Sequence, residues 1–417
     1  MSEPPNPGAQ VWVPAGGGSS GQPGQAGVPS EGEAPGHPPA VWILASVIVI
    51  MLIVGILVAI DKGSQGYYIF QPGTAPQITD NARCRSTGGG ADLALPDGTP
   101  CALLGVPSSK SHPITGSLFM VDVLVGPSTP YQYVLSKLGL LHRADDGSQL
   151  YPKGSVLGST PVGQLTCQDN QQMQGATSAA SVVALGRLGY DVKEENLGAQ
   201  VEEVVPGTPA SAAGLKCNDL VTAVDGVAVP TADELVSIIH AAKPDTSVRL
   251  TVRRIGQGGK AQTLTVTARL SQTPASPGVV ANPKVAFLGV ATFTDTTYTL
   301  PFDVNIDVGD IGGPSAGLAL TLGLIDVLST GDLTGGHRVA ATGTINFDGT
   351  VGDVGGVAQK TVAVRKAGAQ VFLVPPQEYA TAKGEAGSMR VYSVSTLEQA
   401  LTILQSLGGQ IPPSPPK

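Results

Sequence analysis

The sequence predicts an α/β (α+β) carboxy-terminal domain, a small mainly-β domain ahead of it and one amino-terminal transmembrane helix. Three observations carry this reading. Val41–Ile60 is an apolar run without a charged residue, about the length a helix needs to cross a hydrocarbon core. From 189 to 270, short alternating apolar stretches are separated by Gly and Pro turns, the pattern of a small β domain. From 284 to 408, strand-like and helix-like periods alternate, which defines an α/β layer architecture.

Taken in order, residues 1–40 are mainly Pro, Gly, Ser and Gln with little to bury, and are expected to form a disordered tail. The run 41–60 is expected to stay in the membrane rather than be cleaved. The forty residues before it are too long for a signal peptide, lack a basic start, and no small-x-small cleavage site follows. The tail has no Lys or Arg, whereas Lys62, Arg83 and Arg85 follow the span, a weak charge bias that places the amino terminus in the cytoplasm's opposite compartment. The cysteines point the other way. Cys84, Cys101, Cys167 and Cys217 all follow the span, and an even number on one side suits disulfides in an oxidising compartment. Long domains translocate largely regardless of flanking charge, so the large carboxy-terminal region is expected outside the cytoplasm, held to the cell membrane by a single pass.

Residues 66–188 read as an α/β segment, with the strand "SLFMVDVLV" (117–125) and a helical pattern ending at Gly189. In 189–270, a strand leads to the Pro206-Gly207 turn, a short helix from Pro209 is stopped by Gly214, and the strand 220–224 turns at Asp225-Gly226. "TADELVSIIHAA" follows as an amphipathic helix capped by Thr231, and two further strands close as a hairpin around a Gly-rich loop. Residues 271–283 are Pro-rich and polar, hence a linker. In the last domain, 284–408, a helix begins at Ser315, a second at Val357, and the final one opens with Ser395 and Glu398 at capping-box spacing. Residues 409–417, rich in proline, are expected to be a second disordered tail.

Chemistry concentrates at "GGPSAG", 312–317. Position alone makes Ser315 a helix cap, since a serine there satisfies an orphan backbone N–H. The stretch also matches G-x-S-x-G, the nucleophile elbow of α/β-hydrolases, which requires an acid and then a histidine. Only His337 follows within the domain, too soon after the first helix for that order of strands. A lysine can replace histidine as base when burial disfavours its charged form. Lys360 fits, one turn into a helix after Gly355-Gly356 and flanked by Val357, Ala358, Val362 and Val364, whereas Lys366 stands in the last turn, where a cation complements the helix dipole.

Two resemblances sharpen this. "GTPASAAGL" followed by "NDLVTAVDG" resembles a bacterial PDZ domain across 189–270, which implies strand addition of a peptide near Leu197, Gly198 and Ala199. Cys217 stands where that family usually has proline, and a bond from Cys217 to Cys167 would staple the module to the segment before it. "GPSAG", "TGTI" and "VGGVAQK", in that order and spacing, resemble the proteolytic domain of the Lon peptidases over 287–408. That resemblance implies that Ser315 attacks the scissile carbonyl and that Lys360 is general base and then acid. Thr342 falls at the family's threonine beside the dyad, with an ordinary strand position as the alternative, and backbone N–H groups near Gly313 and Ser315 are the expected oxyanion donors. Thr344 stands where "TGE" sequences of the family have an acid.

The full order of anchor, PDZ-like module and Lon-like domain resembles the membrane-anchored PDZ-Lon peptidases of Gram-positive bacteria. No G-x-x-x-x-G-K-[ST] phosphate loop is present, and "GQGGKA" at 256–261 fails its spacing, so activity is expected to be independent of ATP and of any nucleotide. With a net charge of -8 and no dense basic run, nucleic acid is not an expected partner. No cofactor or metal is expected. Family likeness permits a homo-oligomer, but no residue pattern demands one. The reading is a membrane-tethered serine endopeptidase acting on peptides or unfolded protein segments presented by the PDZ-like module; the alternative is a catalytically inactive, membrane-tethered peptide-binding scaffold.

Overall fold

The computed structural model of the protein describes residues 39–78, 103–141, 147–158, 162–256, 260–274, 281–309 and 311–414. Most of the amino-terminal tail, residues 415–417, Cys84 and Cys101 lie outside them. The chain divides into two compact units, Met1–Leu57 and Val58–Lys417. The described part of the first is one helix, α1 (Pro39–Ser64), which starts two residues before the apolar run and ends inside the second unit. Its Ile and Leu side chains from Ile43 to Leu57 stand exposed, and Ser46–Ser64 is long and apolar enough to cross a membrane.

The second unit opens with β1 (Tyr67–Pro72), β2 (Leu104–Gly105), β3 (Ser117–Phe119) and β4 (Val123–Pro127). Then come α2 (Pro130–Lys137), β5 (Gln149–Pro152), α3 (Lys153–Leu157) and the long α4 (Val162–Arg187). β1 lies between β4 and β5 in an antiparallel sheet.

Next, β6 (Lys193–Val204) leads to α5 (Pro209–Ala213), which Gly214 terminates in the left-handed conformation. β7 (Leu220–Val224) turns through Asp225 and Gly226, both at positive φ, into β8 (Val227–Ala228). α6 (Ala232–Ala241) is capped by the Thr231 side chain, which accepts from the Glu234 N–H. β9 (Ser247–Ile255) and β10 (Ala261–Arg269) form the hairpin. The stretch read as a linker begins and ends in paired strands, β11 (Ser271–Thr273) against β12 (Asn282–Phe287). Leu235 and Ile239 of α6 pack with Val221, Leu250 and Ala286 in a core of their own.

The chain leaves this module through β13 (Val290–Thr299), which pairs antiparallel with β6 from Val290↔Val204 to Thr299↔Lys193. The strand entering the module and the strand leaving it therefore form one ribbon. Beyond β14 (Asn305–Ile306), a 3-10 turn (Pro314–Ala316) runs into α7 (Gly317–Leu328), every residue of which is buried. A helix apolar apart from Thr321 and Asp326 belongs in a core, and α7 lies among Met173, Ala180 and Val183 of α4 and the sheet residues Leu118, Val339 and Leu373.

The remaining elements are β15 (Arg338–Ala341), β16 (Thr344–Ile345), β17 (Val351–Gly352), α8 (Val357–Lys366), β18 (Val371–Val374), α9 (Tyr379–Glu385), β19 (Arg390–Ser393) and α10 (Leu397–Ser406). The cap of α10 differs by one residue from the expectation. Thr396, not Ser395, accepts from the backbone of Gln399, while Ser395 bonds to the Gln399 side chain, so the polar partner sits at Gln399 rather than Glu398.

β19, β18, β15 and β3 form a parallel sheet in that order. The segment 66–188 and the last stretch of the chain thus build one sheet and one core, although the PDZ-like module separates them in sequence. In parallel sheets, sites gather beyond the carboxyl ends of the strands. Here those ends lead to Asp122 from β3, Thr342 from β15 and Glu378 from β18.

Candidate active site

Ser315 lies half-buried in the 3-10 turn that precedes α7. No side-chain hydrogen bond caps either that turn or α7, so its hydroxyl does not serve as a helix cap. Two constraints hold the turn. Gly313 adopts φ 82°, a conformation that favours glycine, and its N–H donates to the Asp169 carbonyl of α4 at 2.9 Å. This engages one of the two amides expected to face an oxyanion and leaves the Ser315 N–H. A Cβ on Gly317 would lie 2.8 Å from the Ile345 nitrogen, so glycine permits the close approach of α7 to β16.

The Ser315 carbonyl ties this turn to the residues after β15. It accepts from the Gly343 N–H at 2.9 Å and from the Thr342 hydroxyl at 3.2 Å. Thr342 is fully buried, and its own N–H donates to the Leu373 carbonyl at 3.0 Å. Its hydroxyl oxygen lies 3.5 Å from Lys360 Nζ, at the outer limit of a hydrogen bond. Because the Thr342 proton is directed to Ser315, the oxygen can only accept from Lys360. A neutral amine held this way keeps its lone pair for another proton.

Lys360 is 2% exposed, in the second turn of α8, which starts beyond Gly356 in the left-handed conformation. Burial pulls its pKa down to about 8, and the carboxylates of Asp122 and Glu378 act against that shift. Asp122 is held by the backbone and hydroxyl of Thr74. Glu378 accepts the Val354 N–H, in the loop that leads to α8, at 3.1 Å with one oxygen, and its other oxygen is buried with no partner among the described residues. The arrangement can therefore place a lysine whose neutral form is within reach near pH 8 beside a serine backbone, without a histidine.

His337 is at the wrong end of β15. Its Nδ1 lies 3.3 Å from Gln370 Oε1, and five residues of extended chain, about 16 Å at about 3.3 Å each, separate it from Thr342. The elbow reading fails on that geometry.

Leu197, Gly198 and Ala199 are placed within β6, not in an open loop. Ala199 is buried, with Val221 of β7 on one side and Thr294 of β13 on the other. The edge a peptide would join is already paired, so strand addition at these residues requires β13 to leave. Cys167 of α4 and Cys217 are joined in a disulfide. Among the described residues, no cluster of metal-ligating side chains occurs.

Sequence reasoning did not identify Asp122, Asp169 or Glu378. Asp122 alone carried a local signal, a charge inside the apolar strand-like run 117–125. The other two reach the site through contacts distant in sequence.

Comparison with known proteins agrees with this architecture. Residues 186–268 match the PDZ domain family, and residues 302–404 match the Lon protease (S16) C-terminal proteolytic domain. Lon protease 2 of Bacillus subtilis is 27% identical over 117 residues, 27% of this chain and 21% of that protein. The Lon protease of Campylobacter concisus is 31% identical over 97 residues, 21% of this chain and 11% of that protein. The chain thus spans about a fifth or less of these relatives. Among solved structures, the PDZ domain of an SdrC-like protein from Listeria monocytogenes aligns at 22% identity over 23% of this chain and 87% of that one, with a TM-score of 0.18.

Proposed function

We propose that this chain, which carries a PDZ domain and a Lon-type serine protease domain, is a membrane-anchored endopeptidase that works without ATP. Ser315 is its nucleophile and Lys360 its general base. The observation that carries the proposal is the bridge through Thr342, which joins the backbone of Ser315 to the amine of a buried lysine. Neutral Lys360 takes the Ser315 hydroxyl proton as the oxygen attacks the scissile carbonyl, and the Ser315 N–H faces the oxyanion. The resulting ammonium then protonates the leaving amine. Water attacks the acyl-enzyme with Lys360 again as base, which restores the serine.

No phosphate loop occurs in the 417 residues, so no step of unfolding is driven here. Substrates are accordingly peptides, disordered proteins or exposed tails. Ser46–Ser64 supports the anchor, and the Cys167–Cys217 disulfide supports an oxidising compartment for the large carboxy-terminal region. Presentation by the PDZ domain at β6 requires β13 to yield its place to the substrate strand.

The test is cleavage of casein by the full chain in detergent, without nucleotide. Wild type cuts and Ser315→Ala does not. No cleavage by a folded wild type under any nucleotide condition selects the inactive scaffold instead, and cleavage that appears only with ATP overturns the nucleotide-independent reading.

A further inference from the structure

The short helix α2 lies against the end of α1, and among the described residues none buries its outer side. No residue of α2 is buried. Tyr131, Val134, Leu135 and Leu138 follow one another at i, i+3, i+4 and i+7, so they share one side of the helix and its last turn. Tyr131 is 69% and Leu138 64% exposed. The helix is held by its ends rather than by a core: Thr129 and Gln132 form a capping box, and Pro130 occupies the first turn.

Its other side faces the exit of α1. The Tyr133 ring lies against Gly63, where an added Cβ would come within 2.8 Å of it, and the Ser128 hydroxyl donates to the Ser64 carbonyl at 2.8 Å. Tyr133 and Tyr67 pack together, with Lys137 Nζ 4.9 Å from the Tyr67 ring centre and 5.3 Å from that of Tyr133. The apolar run ends at Ile60, so Gly63 stands about 4.5 Å beyond it at about 1.5 Å per residue. The polar headgroup layer is about 5 to 7 Å thick on each side of the hydrocarbon core. A helix packed on Gly63 through Tyr133, and preceded by Ser128 bonded to Ser64, consequently lies within that layer whenever the run ends at the hydrocarbon boundary. Tyrosine and lysine are the residues that settle there, one amphipathic and the other able to extend its amine to water.

We propose that α2 is an interfacial helix whose Tyr131–Leu138 side rests in the headgroup layer of the membrane that holds α1. The contact fixes the proteolytic domain close to the bilayer surface instead of leaving it on a free tether, so cleavage is confined to chain segments near the membrane. This inference rests on the anchor proposed above.

The test uses the full chain reconstituted in phosphatidylcholine and phosphatidylglycerol vesicles, with Trp12 and Trp42 replaced by phenylalanine. Tryptophan is then introduced singly as Tyr131→Trp, Leu138→Trp or, on the PDZ hairpin, Ile255→Trp. Lipids brominated near the headgroup should quench the first two by at least about half and leave the third unchanged. An alkaline carbonate wash separates the two claims. A chain that stays with the vesicles but shows no quenching at Tyr131→Trp and Leu138→Trp overturns the interfacial helix and leaves the anchor standing. A chain that washes off overturns both. Shielding of Leu138→Trp from aqueous iodide, with no quenching by brominated lipid, shows a protein surface on α2 and also overturns the proposal.

Discussion

Thr342 stands between Ser315 and Lys360, donating to the serine carbonyl at 3.2 Å and lying 3.5 Å from the lysine amine. A hydroxyl in this position can orient Lys360, the proposed base. Thr342→Val keeps the shape and removes both bonds, so it should lower kcat by about tenfold to a hundredfold, the scale of a small misplacement in a site. Thr342→Ser should recover most of the rate. Steady-state kinetics on a fluorogenic peptide measure both, and an unimpaired Thr342→Val would leave Thr342 as a strand residue only.

As the proposed base, Lys360 must be neutral to act. Burial first, opposed by Asp122 and Glu378, places the Lys360 pKa at about 8. Activity should therefore rise with pH through about 8, as the ammonium fraction falls. Glu378→Gln keeps an acceptor for the Val354 N–H and removes a charge that favours the ammonium, so its acidic limb should move to lower pH. The pH dependence of kcat/KM gives the answer, and a limb that moves upward would contradict this role for Glu378.

Asp326 gives stability a pH dependence of its own. It is fully buried in α7, accepts the Leu333 N–H at 2.9 Å, and burial raises its pKa to about 7. The folded state thus keeps a proton that the unfolded state releases, and stability should fall as pH rises from about 4 to about 7. Three pH units at about 1.4 kcal/mol each set an upper limit of about 4 kcal/mol. Asp326→Asn should gain on wild type across that window and by no further amount above it. Denaturant unfolding of both proteins at pH 5 and pH 8 measures the gain.

The Cys167–Cys217 bond closes 50 residues, and chain entropy assigns such a loop about 4 kcal/mol, with about 2 to 4 the usual yield. Reduction or Cys167→Ala should lower unfolding stability by that amount. Cys167 is two residues before Asp169, whose carbonyl holds the Gly313 N–H, so the same change should also slow cleavage. Mass mapping of a non-reduced digest should recover the 167 and 217 peptides linked.

Local signals were legible where local chemistry decides. Thr231 caps α6, Gly214 ends α5, and Lys360 sits buried one turn into α8. The cap at Ser395 slipped to Thr396 because either residue precedes an apolar run at suitable spacing. What the sequence concealed is non-local. The pairing of β3 with β15 joins residues more than 200 positions apart, Phe119 with Ala340, and so delivers Asp122 to the site. The β6–β13 ribbon likewise pairs a strand of the PDZ module with one beyond it and occupies Gly198 and Ala199, which local resemblance had left open.

The most direct test of the account is to acylate the full chain with a peptide β-lactone and identify the modified residue by mass spectrometry. A single acyl group on Ser315 is expected, formed at a rate that rises through about pH 8 and falls by more than about a hundredfold in Lys360→Met. Acylation of Lys360→Met at the wild-type rate, or of another residue while Ser315 stays unmodified in an active preparation, would contradict it.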